Sequence, residues 1–249
     1  MKYFIFLFLS FSYLSSCKKS TSHPPPLFEK SVAVHSEVKK AVIAPVVDGN
    51  PNDPAWKRVN WNPLNQLWQG KELKKTIQYK VTWTPDALYL LVALDTLQLN
   101  TSFGNPLENF QNQDRLVVYL DENNSGGDYS KDHSAFAYKI LANNFVIATN
   151  SKGIPATYKS HINNRLKRIN TKFFWEFRVT LYDESYCDNQ PNEAVVLKPE
   201  KKIGFALALR ILNREGIPDT QLGSVAIPED YKNRIETDSG LFATLQLIE

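Results

Sequence analysis

The side chains best suited to hold a ligand lie in one irregular stretch, Asn60-Trp61-Asn62-Pro63-Leu64-Asn65-Gln66-Leu67-Trp68-Gln69-Gly70. Two indoles sit there among amides. A pyranose presents axial C–H groups that stack on a flat ring, and hydroxyls that pair with amides, carboxylates and guanidinium groups. Trp and Tyr supply that contact area together with a polar tip. Trp61 and Trp68 are therefore expected as exposed platforms, the alternative being a loop packed over a sheet edge. Asp114 and Arg115 could orient hydroxyls, the alternative being an ordinary salt bridge. Tyr129 is a further aromatic candidate. It falls within Asp121-Glu122-Asn123-Asn124-Ser125-Gly126-Gly127-Asp128-Tyr129-Ser130-Lys131-Asp132, where oxygen-bearing side chains crowd a Gly-rich bend. Calcium takes about six to eight oxygens, some from backbone carbonyls. Asp121, Asn123, Asp128 and Asp132 are the candidate ligands, and a solvated hairpin loop is the competing reading.

Catalytic patterns are not evident. The sequence has no Gly-x-Ser-x-Gly elbow, no His-Glu-x-x-His pair and no phosphate loop. A glycosidase needs two carboxylates about 5–9 Å apart across a cleft, and nothing marks such a pair. The net charge of +3 is small and the charges are interspersed, unlike the concentrated basic face of a nucleic-acid binder. No enzyme and no nucleic-acid partner are expected.

The chain opens with Met1-Lys2, an apolar run over 3–14 interrupted by Ser10 and Ser12, and then Leu14-Ser15-Ser16-Cys17. The run is too short to cross a bilayer, which takes about 20 residues, and reads as the apolar region of a secretory signal. Leu-Ser-Ser-Cys resembles the lipobox of bacterial lipoproteins, which implies cleavage before Cys17 and acylation of its thiol. Each buried CH₂ contributes about 0.8 kcal/mol, so several acyl chains anchor firmly. Lys18 to Pro26 is polar and ends in three prolines, a semi-rigid tether. The expected division is a leader over 1–16, a lipidated cysteine and tether over 17–40, and a folded body over 41–249. Lysines rather than acids follow Cys17, which favours an outer-membrane protein facing the periplasm. With Cys17 acylated, Cys187 has no partner within the chain, and the fold needs neither a disulfide nor a Cys-based zinc site.

Short strands must position these residues. Over 76–83 the residues alternate, with Ile77, Tyr79, Val81 and Trp83 on one face and Gln78, Lys80 and Thr82 on the other, the period of a half-buried strand. Residues 87–94 are almost all apolar and read as a central strand. Further strands are expected at 115–120, 135–141, 145–149, 173–181, 203–212 and 241–248, with a loop from Leu181 to Lys202. Trp56, Trp83 and Trp175 are expected inward. Many short strands separated by turns predict one all-β domain, a two-sheet antiparallel β-sandwich of jelly-roll or immunoglobulin-like kind.

Val47-Asp48-Gly49-Asn50-Pro51-Asn52-Asp53-Pro54-Ala55-Trp56 resembles the opening of family 9 carbohydrate-binding modules. The resemblance continues in order through Tyr79–Trp83 with Leu88–Leu91, then Asp114–Glu122, Ser125–Asp128 with Ala135–Tyr138, Trp175-Glu176, Leu222–Ser224 and Gly240–Phe242. It implies a β-sandwich that binds oligosaccharide or polysaccharide, with structural calcium in many members, serving polysaccharide capture and breakdown. The chain departs from the pattern at Asn109–Gln113, where acids are common, at Lys139 in place of His, and at Leu212-Asn213-Arg214 in place of an acidic turn. Haem-binding sandwiches look related, and here His133 and His161 would be the only ligands, since Met1 is the one methionine. The alternative to sugar binding is an envelope lipoprotein that docks a partner protein.

Overall fold

The computed structural model describes residues 35–95, 99, 104–212 and 218–249. The leader, Cys17 and the tether up to residue 34 lie outside the described residues.

Two sheets form a sandwich. The first has nine strands. Seven follow the order β1 (His35–Lys39), β14 (Ala243–Ile248), β12 (Lys202–Leu212), β6 (Arg115–Asp121), β7 (Phe136–Leu141), β8 (Val146–Thr149) and β9 (Pro155–Thr157). β13 (Pro218–Gly223) and β3 (Gln66–Gly70) extend it sideways from β12. The second sheet runs β10 (Ile162–Ile169), β11 (Lys172–Val179), β5 (Ala87–Asp95), β4 (Ile77–Thr84) and β2 (Asn62–Pro63). The strands pair antiparallel except for β1, which lies parallel to β14. That strand occupies residues expected in the tether, so the folded body begins before Ala41.

The alternation expected for β4 is present. Ile77, Tyr79, Val81 and Trp83 join Leu90, Val92, Val118, Trp175, Phe177 and Phe205 in the layer between the sheets. Trp83 ties β1 and β14 to this layer, its indole N–H donating to the Val38 and Ile248 carbonyls at 2.9 and 3.1 Å. Residues 180–201 carry no regular structure, as their polarity predicts.

Loops cover the outer faces as well. Trp56, Val59 and Trp61 pack on Ala87, Tyr89 and Leu91 outside the second sheet. Ile227, Ile235, Leu241 and Phe242 pack on Val117, Tyr119, Ala206 and Ala208 outside the first. Burial from both sides explains why β5 is apolar on both faces rather than alternating. One lock holds the first of these loops. The Glu176 carboxylate accepts from the Asp48 and Gly49 amides at 3.0 and 2.9 Å and from the Trp56 indole at 2.7 Å. Gly49 has φ +75°, and a Cβ there would lie 2.6 Å from Lys167 Cβ.

Candidate functional site

The side chains of β6 alternate across the first sheet. Leu116, Val118 and Leu120 point into the core, which leaves Arg115, Val117, Tyr119 and Asp121 on the outer face. Arg115 is opposite Arg210 on β12, Arg210 is opposite Gln221 on β13, and Gln221 is opposite Gln69 on β3. Four polar residues thus form one row across four strands. The levels below are small or aromatic: Val117 opposite Ala208, and Tyr119 opposite Ala206. Trp68 lies over Gly223, where an added Cβ would fall 2.0 Å from the indole.

Within the row, Arg115 Nη1 donates to the carbonyls of Phe110, Gln111 and Gln113 at 3.0, 3.1 and 2.9 Å. Burial pushes the guanidinium down to about 10, and the Arg210 charge acts in the same direction. Arg210 Nη2 donates to the Gln221 amide oxygen at 3.1 Å. Its Nε is buried without a hydrogen-bond partner among the described residues, and so is Oε1 of Gln113, two residues before Arg115. Beside the row, Glu236 accepts from the Tyr119 hydroxyl at 2.7 Å and from Lys139 Nζ at 2.9 Å. Burial alone would raise the Glu236 pKa, but Lys139, Tyr119 and Arg210 hold it below the usual range. The face offers guanidinium donors, a fixed carboxylate and amides, the groups that recognise hydroxyls.

Arg115 is the one candidate from the sequence that contributes to this row. Asp114 is buried and accepts from the Leu212 amide at 2.7 Å, fastening the end of β12. The expected pair of exposed indoles is not formed. Trp68 is 4% exposed; its indole N–H donates to the Val225 carbonyl at 2.8 Å, and its ring meets Tyr119 at 6.2 Å. Trp61 is half-buried outside the other sheet, with Lys80 Nζ 4.7 Å from its ring centre. Segments distant in sequence cover both rings, so the polarity of their neighbours misleads. Tyr129 is buried too, donating its hydroxyl to the Ile235 carbonyl at 2.7 Å. Its position borders a shallow pocket shared with Lys139 and Glu236.

The four calcium candidates accept from backbone amides: Asp121 from Ser125 and Gly126, Asn123 from Ser125, Asp128 from Ser130 and Asp132 from Ser134. No group of three or more carboxylate, imidazole or thiol ligands comes together among the described residues.

The two histidines offered for haem belong to a buried aromatic cluster. Tyr138 and His161 share a hydrogen bond at 2.8 Å to Nδ1, and the His161 ring lies 4.3 Å from Tyr182. His133 Nε2 is 3.0 Å from Asp188 Oδ2 and stacks on Phe136 at 4.9 Å. Both rings are packed and bonded in ways that do not suit an axial ligand. Cys187, expected to stand alone, is disulfide-bonded. The sequence holds one other cysteine, Cys17, outside the described residues.

Sequence reasoning missed Gln113, Lys139, Arg210, Gln221 and Glu236 as site residues. Arg210 left a trace: it is the charged residue near the end of Ile203-Gly204-Phe205-Ala206-Leu207-Ala208-Leu209-Arg210-Ile211-Leu212, an otherwise apolar strand. Glu236 comes from a loop and had no periodic signal.

The model of the carbohydrate family 9 binding domain-like family matches residues 47–247. A family 9 carbohydrate-binding module from Caldicellulosiruptor kristjanssonii, solved in complex with cellotriose, shares the fold at TM-score 0.63 and 19% identity, over 86% of this chain and 94% of that one. Its complex with glucose aligns at TM-score 0.61 and 18% identity, over 85% and 95%. A protein from Bacteroides uniformis ATCC 8492 described as a candidate carbohydrate-binding protein aligns at TM-score 0.57 and 8% identity, over 86% and 98%. Among curated proteins none matches significantly. From the ordered match over 47–247, the chain belongs to the carbohydrate family 9 binding domain-like family.

Proposed function

We propose that this protein binds carbohydrate without cleaving it, and that the ligand lies on the outer face of the first sheet. The observation that carries this reading is the match of residues 47–247 to the carbohydrate family 9 binding domain-like family. The cellotriose and glucose held by the Caldicellulosiruptor module support it, and so does the cross-strand row Arg115, Arg210, Gln221 and Gln69, which gathers guanidinium and amide groups on one face. Glu236 is committed to Lys139 and Tyr119, whereas hydrolysis calls for a working pair of carboxylates. Calorimetric titration across plant and microbial oligosaccharides tests the reading; a folded protein that binds none of them would refute it.

The leader and Leu14-Ser15-Ser16-Cys17 support lipid anchoring in the outer membrane, facing the periplasm, in service of oligosaccharide or polysaccharide capture and breakdown. An acylated Cys17 cannot also form a disulfide, so lipid and an intrachain bridge to Cys187 are alternative fates of one thiol.

A second reading, docking of an envelope protein, is favoured by one exposed apolar loop. Val42, Ile43 and Val46 are 85%, 68% and 64% exposed, and grouped exposed apolar side chains mark interaction surfaces. Val42→Glu with Ile43→Glu should weaken chemical cross-linking to an envelope protein in whole cells; unchanged cross-links would remove this reading.

A further inference from the structure

Strand β12 changes partners halfway along. β14 pairs with its first part, from Lys202 to Phe205, and β13 with its second, from Ala208 to Leu212. Between them one serine completes the ladder. The Leu207 amide donates to Ser224 Oγ at 2.9 Å, and the Leu207 carbonyl accepts from the Ser224 amide at 2.8 Å. Where β13 and β14 part, a cavity of about 380 Å³ opens toward β2, the edge strand of the second sheet. That volume falls within the range of small-molecule sites, about 300–1,000 Å³. The inner wall includes Tyr79 and Phe205, whose ring centres are 6.1 Å apart. The rim carries the amides of Asn62, Asn65 and Gln66 and the hydroxyls of Ser36 and Ser224. These three amides come from the stretch Asn60–Gly70. Its indoles are packed against the sheets, whereas Asn65 is exposed and Asn62 and Gln66 are half-buried.

Gln66 Nε2 donates to Asn65 Oδ1 at 3.1 Å, and no side-chain hydrogen bond holds the Asn62 amide among the described residues. Each amide offers both donors and an acceptor. No charged side chain lines the cavity among the described residues. Burial raises the pKa of Tyr79, outweighing the lowering by its hydrogen bond with Ser224, so that hydroxyl stays neutral as well. An anionic ligand would leave water here without a cation to meet it, which is costly.

We propose that this cavity is a second saccharide site, separate from the outer face of the first sheet, and that it takes a neutral sugar residue. The amides of Asn62, Asn65 and Gln66 pair with its hydroxyls, while Tyr79 and Phe205 meet its C–H groups. The inference takes its class of ligand from the carbohydrate-binding reading and its place from the cavity alone.

The test is a nuclear magnetic resonance titration of the isotope-labelled full chain with a cello-oligosaccharide, an oligogalacturonide and, as an apolar control, octanol. The cello-oligosaccharide should shift the signals of Ser36, Asn62 and Ser224 saturably, and more tightly than the oligogalacturonide does. Asn62→Ala should weaken this response about fivefold, the scale of one neutral hydrogen bond. Ala226 lines the cavity and is exposed, so Ala226→Trp should block the cavity in a protein that still folds and abolish the response. Shifts confined to the outer face around Arg115, Arg210 and Gln221 overturn the second site and leave the carbohydrate-binding reading standing. Equal affinity for the oligogalacturonide at the cavity overturns the neutral class, and a response there to octanol with none to sugar overturns the saccharide assignment. Cavity shifts that neither variant changes overturn the roles given to these residues. A folded protein in which no saccharide moves any signal defeats both readings.

Discussion

Gly223 carries no side chain because the Trp68 indole lies on it, 2.0 Å from where a Cβ would be. Gly223→Ala must push that ring off Tyr119 and Val225, and overpacking of this kind costs about 1–3 kcal/mol. Thermal or urea denaturation should show a loss in that range; an unchanged midpoint would mean that the indole moves freely. Glu176 presents the opposite case, a charge that the fold needs. Its carboxylate collects three donors from the opening loop. Glu176→Ala strands them and should cost about 3 kcal/mol, since each buried donor left unpaired costs about 1–3 kcal/mol. His161 gives a pH dependence. Burial, with His133 adding to it, lowers its pKa to about 4, against about 6.5 in an unfolded chain. The unfolded state thus binds the extra proton first, and stability should fall as pH drops from about 6.5 to about 4. Full protonation linkage over that interval is worth about 3 kcal/mol. His161→Phe should flatten the dependence in this window. At this scale the sequence singled out Arg115, which the row contains. It misplaced Trp68, because an indole among amides reads the same whether or not a segment 157 positions away covers it.

Strands were legible where one face met the core and the other met something different. β4, β6 and β12 show this in their residues. β10 escaped notice because Ile162-Asn163-Asn164-Arg165-Leu166-Lys167-Arg168-Ile169 mixes polar residues into both faces, as an edge strand tends to do. Its buried Asn164 accepts from the Trp175 indole at 3.0 Å, a contact no local pattern reveals. β1 hid for another reason: five residues after a tether-like segment gain their structure from β14, more than 200 positions later. A chain beginning at Ala41 would lose β1, bare the edge of β14 and remove the Val38 acceptor of Trp83. It should melt at lower temperature and self-associate more readily, read by calorimetry and light scattering. Retention of the full melting temperature would show that β1 is a passenger.

For the whole molecule, the two cysteines offer a decisive reading. The leader predicts that Cys17 in the membrane fraction carries lipid mass, and that Cys17→Ser releases the protein from the membrane. A linked peptide joining Cys17 to Cys187 on non-reducing digestion would contradict the anchor. The sandwich itself was visible in the ordered segments from Val47 to Phe242, because most of them are strands or strand ends with their own composition. The site was visible only in part, because its row is assembled from β6, β12, β13 and β3 by register, with Glu236 brought beside it by a covering loop. The central claim, that this row is a saccharide-binding face, is tested most directly by titrating the wild-type chain and the Arg210→Gln variant with the same panel of oligosaccharides, folding being checked by circular dichroism. The account predicts saccharide binding by the wild type and a loss of about tenfold or more of affinity in the variant for its best ligand, the scale of one charge-assisted hydrogen bond. Wild-type affinity in the variant would put the ligand elsewhere on the molecule and contradict it.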